Sequence, residues 1–281
     1  MVRTLKTIFN ADDFGISPGV NRAIVQAHTQ GCLNSTSLMI TLKYAPQAIE
    51  LARTLPDLHI GLHANLTNEQ AVLPHAEIPL LTDENGKFCH GFVDLALLSV
   101  LHPIELKRQV KAEIKAQLDK ALAAGVKLEH LDSHRHVHMI PLLFKAFMEL
   151  QQEYGLGRLR FVNERFWRTV RATSVGEGLK DGGLIKNWVL TACAMANRVL
   201  WGFRSDTYFY SMVHTCKLSR DKVKNVAVPQ EYAAVELGIH PGMPEVDKDY
   251  LPDVFDDNIL RDWRAKELET LMDKDLAKEF R

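Results

Sequence analysis

Four of the twelve histidines fall within nine residues, in the run His130-Leu131-Asp132-Ser133-His134-Arg135-His136-Val137-His138. Two adjacent carboxylates, Asp12 and Asp13, stand in Asn10-Ala11-Asp12-Asp13-Phe14-Gly15. His63 and Asn65 share Gly61-Leu62-His63-Ala64-Asn65, and a late His240 opens His240-Pro241-Gly242. Carboxylate with imidazole suits a borderline divalent ion such as zinc. It also binds magnesium or manganese, for which imidazole is less typical. Two His and one Asp around such an ion leave positions for water and substrate, and the ion acidifies water and polarises a carbonyl oxygen. A second carboxylate beside a ligand suits a general base, because successive side chains of an extended segment diverge. Each feature alone has a plainer reading. An Asp-Asp pair after a strand is commonly a turn or a helix approach, and a single His63 is commonly a hydrogen-bonded core residue. His134, His136 and His138 alternate, so they cannot share one face of an extended segment, and at least one is structural. If the segment coils into a helical turn, His134 and His138 share a face. His130 precedes the strand end and reads as structural. The coincidence of these groups carries the metal reading.

The elements that must position them alternate between strand and helix. Strand candidates are Leu5–Asn10, Ser35–Thr41, Leu58–His63, Glu129–Ser133, Leu159–Val162 and Ala233–Ile239. Ser17-Pro18 reads as an N-cap with Pro at the first helical position, opening a helix to Gln30 that Gly31 stops. Further helices are read at Pro46–Thr54, Pro141–Tyr154, Leu184–Leu200 and Asp262–Met272. A long one opens at Pro103 and ends at Gly125, with Ile104, Val110, Ile114, Leu118 and Leu122 on one side. Asn85-Gly86 is a turn signal. This alternation implies parallel strands with helical crossovers, and about seven strands fit an irregular (β/α) barrel as well as an open doubly wound sheet. In both, ligands bind beyond the carboxyl ends of the strands, where the candidate residues lie. Residues 1–281 read as a single domain with an irregular insertion around 164–205. Its least patterned part, Glu164 to Gly183, reads as a binding loop.

Composition excludes several classes. Apolar residues make up 46% and charged residues 25% of 281, which is globular rather than disordered. With 34 basic against 35 acidic residues, no global field attracts nucleic acid or an anionic membrane, although local patches stay open. No apolar stretch reaches the length of an integral membrane segment, and no signal-peptide pattern opens the chain. The four cysteines, at 32, 89, 193 and 216, form no C-x-x-C pair. They read as reduced thiols in a cytoplasmic protein.

The segments Asn10–Gly15, Gly61–Thr67, His130–Met139 and Gly238–Gly242, in that order, resemble the YdjC-like carbohydrate deacetylases, the family of ChbG and HpnK. The resemblance spans residues 10–242. It implies an α/β fold, a distorted (β/α) barrel of about seven strands like that of the polysaccharide deacetylases. It also implies hydrolysis of an acetamido group on a sugar or glycoconjugate, with one divalent metal, Mg2+ or Zn2+. Carried over, Asp13, His63 and His134 match the metal ligands, Asp12 the general base, and His240 a general acid or oxyanion partner. His136 and His138 are reserve ligands or supporting groups. Asn65, Trp167 and Tyr210 are candidate substrate contacts, and Arg160, Arg165 and Arg168 either meet an anionic group or sit in solvent. The implied partner is an N-acetylated sugar, and family members often form homodimers. Three stretches depart from the usual pattern: Asn68–Pro74, the longer and more aromatic Phe166–Phe203, and Tyr210 where a small residue is usual. Two other readings remain: a phosphoester hydrolase using the same metal chemistry, although no P-loop glycines are present, and a non-catalytic sugar-binding protein on the same scaffold.

Overall fold

The computed structural model describes residues 5–172, 183–223, 228–250 and 257–279. Its strands are β1 (Lys6–Phe14), β2 (Ser35–Leu38), β3 (His59–Ala64), β4 (Leu128–Ser133), β5 (Arg158–Leu159), β6 (Thr207–Tyr210) and β7 (Ala234–Ile239). They form one sheet in the order β5-β4-β3-β2-β1-β7-β6, with every pairing parallel. The helices are α1 (Pro18–Gln30), α2 (Ala45–Ala52), α3 (Phe92–Leu101), α4 (Pro103–Ala123), α5 (Pro141–Glu153), α6 (Phe166–Ala172), α7 (Gly183–Trp201), α8 (Arg220–Val223), α9 (Pro244–Asp247) and α10 (Trp263–Leu271). The architecture is an α/β distorted barrel. No helix among the described residues is long and apolar enough to cross a membrane.

Local chemistry explains most boundaries. The Ser17 side chain accepts a hydrogen bond from the Val20 amide, and Pro18 begins α1. Both follow the rules for N-caps and first-turn prolines. Gly31 ends the helix where a Cβ would lie 2.2 Å from the Leu271 carbonyl oxygen. On α4, Val110, Ile114 and Leu118 are buried as expected, whereas Ile104 and Leu122 are exposed. The inward stripe of α4 is partly polar. Gln117 exchanges hydrogen bonds with the Asn65 backbone, Glu113 accepts from the amides of Val72 and Leu73, and Gln109 accepts from Leu80. This ladder fixes the irregular chain after β3 without a strand of its own.

Three elements differ from the sequence reading. β1 runs on to Phe14, so both aspartates belong to the strand. α3 was not expected, because its sequence is apolar nearly all round and shows no amphipathic period. Four residues, Thr207–Tyr210, form the edge strand β6. In the segment 164–183, Phe166–Ala172 is helical, and 173–182 lies outside the described residues.

The two edge strands, β5 and β6, do not pair directly. The side chain of Asn163, just past β5, spans the gap: its amide nitrogen donates to the Thr207 carbonyl at 3.1 Å and its oxygen accepts from the Phe209 amide at 2.8 Å. Next to it, buried Glu164 accepts from the amides of Ser211, Met212 and Val213 and from the Thr169 hydroxyl. Burial pushes the Glu164 pKa above the usual carboxylate value, against these donors. A raised carboxyl pKa means that the folded state binds more protons, so this group's contribution falls as pH rises from the ordinary glutamate value through the raised one. Glu164→Gln should therefore remove part of the stability loss between mildly acidic and neutral pH. Denaturant melts of both proteins across that range would show parallel curves if this assignment is wrong.

Candidate active site

The barrel interior is polar, and one cation organises it. Arg160, fully buried just beyond β5, forms a fork with Asp12: Nη1 donates to Oδ2 and Nη2 to Oδ1, both at 2.7 Å. Nη2 also lies 2.8 Å from Asp132 Oδ2, and Nε donates to Glu236 Oε1 at 2.8 Å. The same guanidinium thus meets carboxylates from β1, β4 and β7. Ser37 on β2 donates to Asp132 and accepts from Asn10, whose oxygen accepts from Ser35. Gly61 is required on β3 because a Cβ there would lie 2.2 Å from the buried His130 ring.

Asp13 turns the other way. Its φ of 69° is in the left-handed region, unusual for a residue other than glycine. Its Oδ1 lies 3.1 Å from His134 Nδ1 and 3.6 Å from His63 Nε2, and its Oδ2 accepts from Arg264 Nη2 at 2.9 Å. His63 gives its other nitrogen to Asp132 at 2.6 Å. That contact fixes the tautomer and leaves Nε2 as a ligand, the usual support for a metal-binding histidine. One potential ligand atom from each of Asp13, His63 and His134 lies within 4.8 Å of the others, and all three residues are buried. His134 Nε2 is buried without a partner. A second group, Asp12, His63 and Asp132, meets the same distance criterion, but both of its carboxylates are already engaged by Arg160. The first group fits a divalent cation; its donor set of two imidazoles and a carboxylate is typical of zinc.

Electrostatics follow burial and neighbours. Burial opposes ionisation of Asp12, yet Arg160 and His63 hold its pKa at about 2. Burial also opposes Asp13, and His134 and Arg264 hold it well below the ordinary range. Burial lowers the pKa of His134 against the pull of Asp13, lowers that of His136 together with Arg160 and His138, and lowers His138 to about 3. His240 behaves oppositely: burial resists its charge, but Glu267, Asp13 and Asp12 outweigh that and raise its pKa. Its Nε2 is 3.9 Å from Asp12 Oδ2, and Glu267 accepts its backbone amide at 2.7 Å. Asp12, Asp13, His63, His134, His136, His240 and Arg264 line a cleft of about 700 Å³.

The other expected site residues separate. His136 lines the cleft. His138 does not join His134 although the segment coils into a 3₁₀ turn, Arg135 and His136 having positive φ. Its ring is bonded to Ser133 and to the Arg160 carbonyl, which makes it a support for that turn. Three expected substrate contacts lie elsewhere. Asn65 is buried and bonds Thr41 and the backbone of Thr67 and Asn68. Tyr210 is buried, with its hydroxyl donated to the Lys222 carbonyl. Trp167 lines a separate cavity with Trp188. Arg160 is not a surface charge: it is fully buried and its guanidinium is taken up by Asp12, Asp132 and Glu236.

The sequence reading missed Arg264 and Glu267 on α10, which hold Asp13 and His240. Their signal was available: both fall on one helical stripe with Leu268 and Leu271, and all four are buried. Removing Arg160 leaves three buried carboxylates facing one another. Arg160→Met should cost about 3–5 kcal/mol, the range for a broken buried ion pair, in urea unfolding. An unchanged midpoint would exclude Arg160 as the organising charge.

A family model described as YdjC-like protein matches residues 6–281. A carbohydrate deacetylase of Brevibacillus brevis is 41% identical over 150 residues, 53% of this chain and 57% of that protein. One of Vibrio parahaemolyticus is 42% identical over 150 residues, again 57% of its length. The chain thus spans little more than half the length of these curated relatives. A crystal structure from Enterococcus faecalis V583, provisionally described as a cellobiose-phosphate cleavage protein, superposes with a TM-score of 0.68 at 22% identity. It covers 98% of this chain and 94% of its own, and it supports the fold alone.

Proposed function

The chain belongs to the YdjC-like family, and from that premise we propose that it is a metal-dependent hydrolase removing the N-acetyl group of an acetylated amino sugar, oligosaccharide or glycoconjugate. The observation that carries the reading is the division of labour between two adjacent aspartates. Asp12 is locked to Arg160, and Asp13 faces His63 and His134. Asp13, His63 and His134 would hold one divalent ion, zinc by its donor set, with magnesium as the alternative. When bound, such an ion polarises a carbonyl oxygen and lowers the pKa of water.

The residues of the chain supply the rest. Asp12, kept ionised by Arg160, takes a proton from the attacking water. His240, whose hold on a proton is strengthened by Glu267, Asp13 and Asp12, gives a proton to the departing amine nitrogen. Water and amide thereby become acetate and free amine. Asp132 orients His63, and Arg264 restrains the outer oxygen of Asp13, so the ligands are arranged before the ion arrives. Free, unpaired cysteines fit a reducing compartment such as the cytoplasm, and a homodimer is the assembly that the family suggests.

Acetate release from a panel of N-acetylated sugars, run beside phosphate release from phosphoesters, tests the reaction class. Acetate is expected; phosphate release would replace this reading, and inactivity on both panels with sugar binding retained would leave a binding protein. Asp12→Asn should lower turnover by about 10²–10⁴-fold, the range for a lost general base, with metal content unchanged. His63→Ala and His134→Ala should instead lose the metal, and Asp132→Asn should weaken it by roughly 10–100-fold. Full activity in Asp12→Asn would refute the role given to that carboxylate.

A further inference from the structure

Helix α7 is inverted relative to a surface helix. Its buried face carries Asn187 and Asn197 with Leu190 and Ala194, while Ile185, Trp188, Val189, Met195, Val199 and Leu200 face outward. Val199 is 84% and Trp188 66% exposed. Helix α3 behaves alike, with Val93, Leu97, Val100 and Leu101 exposed. The two helices flank the cleft: Phe92 and Val93 line it from one side, and Ile185 and Val189 from α7. Exposed apolar stripes of this kind mark an interaction site.

The charges on this face select its occupant. Helix α7 contains no acidic residue, and its Lys186 lines the cleft beside Ile185 and Val189, whereas Arg198 is turned to the Tyr232 hydroxyl and the Phe161 ring. Asp94, the acidic residue of α3, accepts from the Gly91 amide at the start of that helix. Arg135 and Lys217 stand at the same cleft. A second copy of α7 would offer these cations nothing of opposite sign. An apolar stripe with tryptophan and basic flanks is the pattern of a helix lying in the headgroup layer of an anionic bilayer.

We propose that the outer faces of α3 and α7 dock the protein on an anionic lipid surface, with the cleft opening toward the headgroups. The docking is independent of the deacetylase reading, because it is measured without turnover; either can fail alone. The full chain should sediment with vesicles of phosphatidylcholine and phosphatidylglycerol at least about tenfold more than with phosphatidylcholine alone. High salt and Lys186→Glu should each reduce that difference. The variant Leu97→Gln, Val100→Gln, Trp188→Gln and Val199→Gln alters exposed positions outside the cleft lining. It should keep its thermal melt and lose vesicle binding. Absence of sedimentation with either vesicle would overturn the proposal. So would a dimer, seen by light scattering, that the same variant splits, because the face would then belong to a second copy of the chain.

Discussion

A guanidinium without solvent contact must find its compensation inside the barrel, and Arg160 finds it in Asp12, Asp132 and Glu236. Those carboxylates come from three strands that are distant in sequence, so the guanidinium meets all of its partners only when β1, β4, β7 and the end of β5 are in register. Taking these groups out of water is costly, and their attraction does little more than offset the loss. What the cluster contributes is a penalty on every other arrangement: a shifted strand would bury an unpaired charge. The side chains of Asn163 and Glu164 complete the closure beside it, standing in for the ladder that β5 and β6 do not make.

The division between the aspartates follows from this constraint. With both oxygens of Asp12 held by Arg160, the next carboxylate has to leave the strand direction, and Asp13 does so at a positive φ, a conformation normally costly for a side-chain-bearing residue. Three long-range contacts offset that cost. The histidines come from β3 and the turn after β4, and Arg264 comes from α10, some 250 residues away in the chain. The same helix sends Glu267 to His240. One turn of α10 therefore supports both ends of the site.

Much of the architecture was legible because its signals are local. The Ser17-Pro18 cap, Gly31, the Pro103 and Pro141 helix starts and the buried runs of β2, β3 and β7 each act within a few residues. They survive in the fold with shifts of a residue or two at most boundaries. The strand-end placement of Asp12, Asp13, His63, His134 and His240 was legible for the same reason, since parallel topology sends all strand ends to one face. α3 was not legible: its exposed apolar residues erase the period on which a helix reading rests. Nor were the roles of Asn65, Tyr210 and Trp167, because strand-end position says nothing about where a side chain spends its hydrogen bonds.

The sequence by itself determined that carboxylates and imidazoles would meet on one face of a parallel α/β barrel, since residue type and strand order are properties of the chain. Only the tertiary structure decided which of them face each other. Arg160 in the interior, His138 turned away from His134, and α10 reaching Asp13 and His240 are outcomes of long-range charge pairing and packing. The energies of those pairings depend on distance in space, and sequence spacing does not encode it.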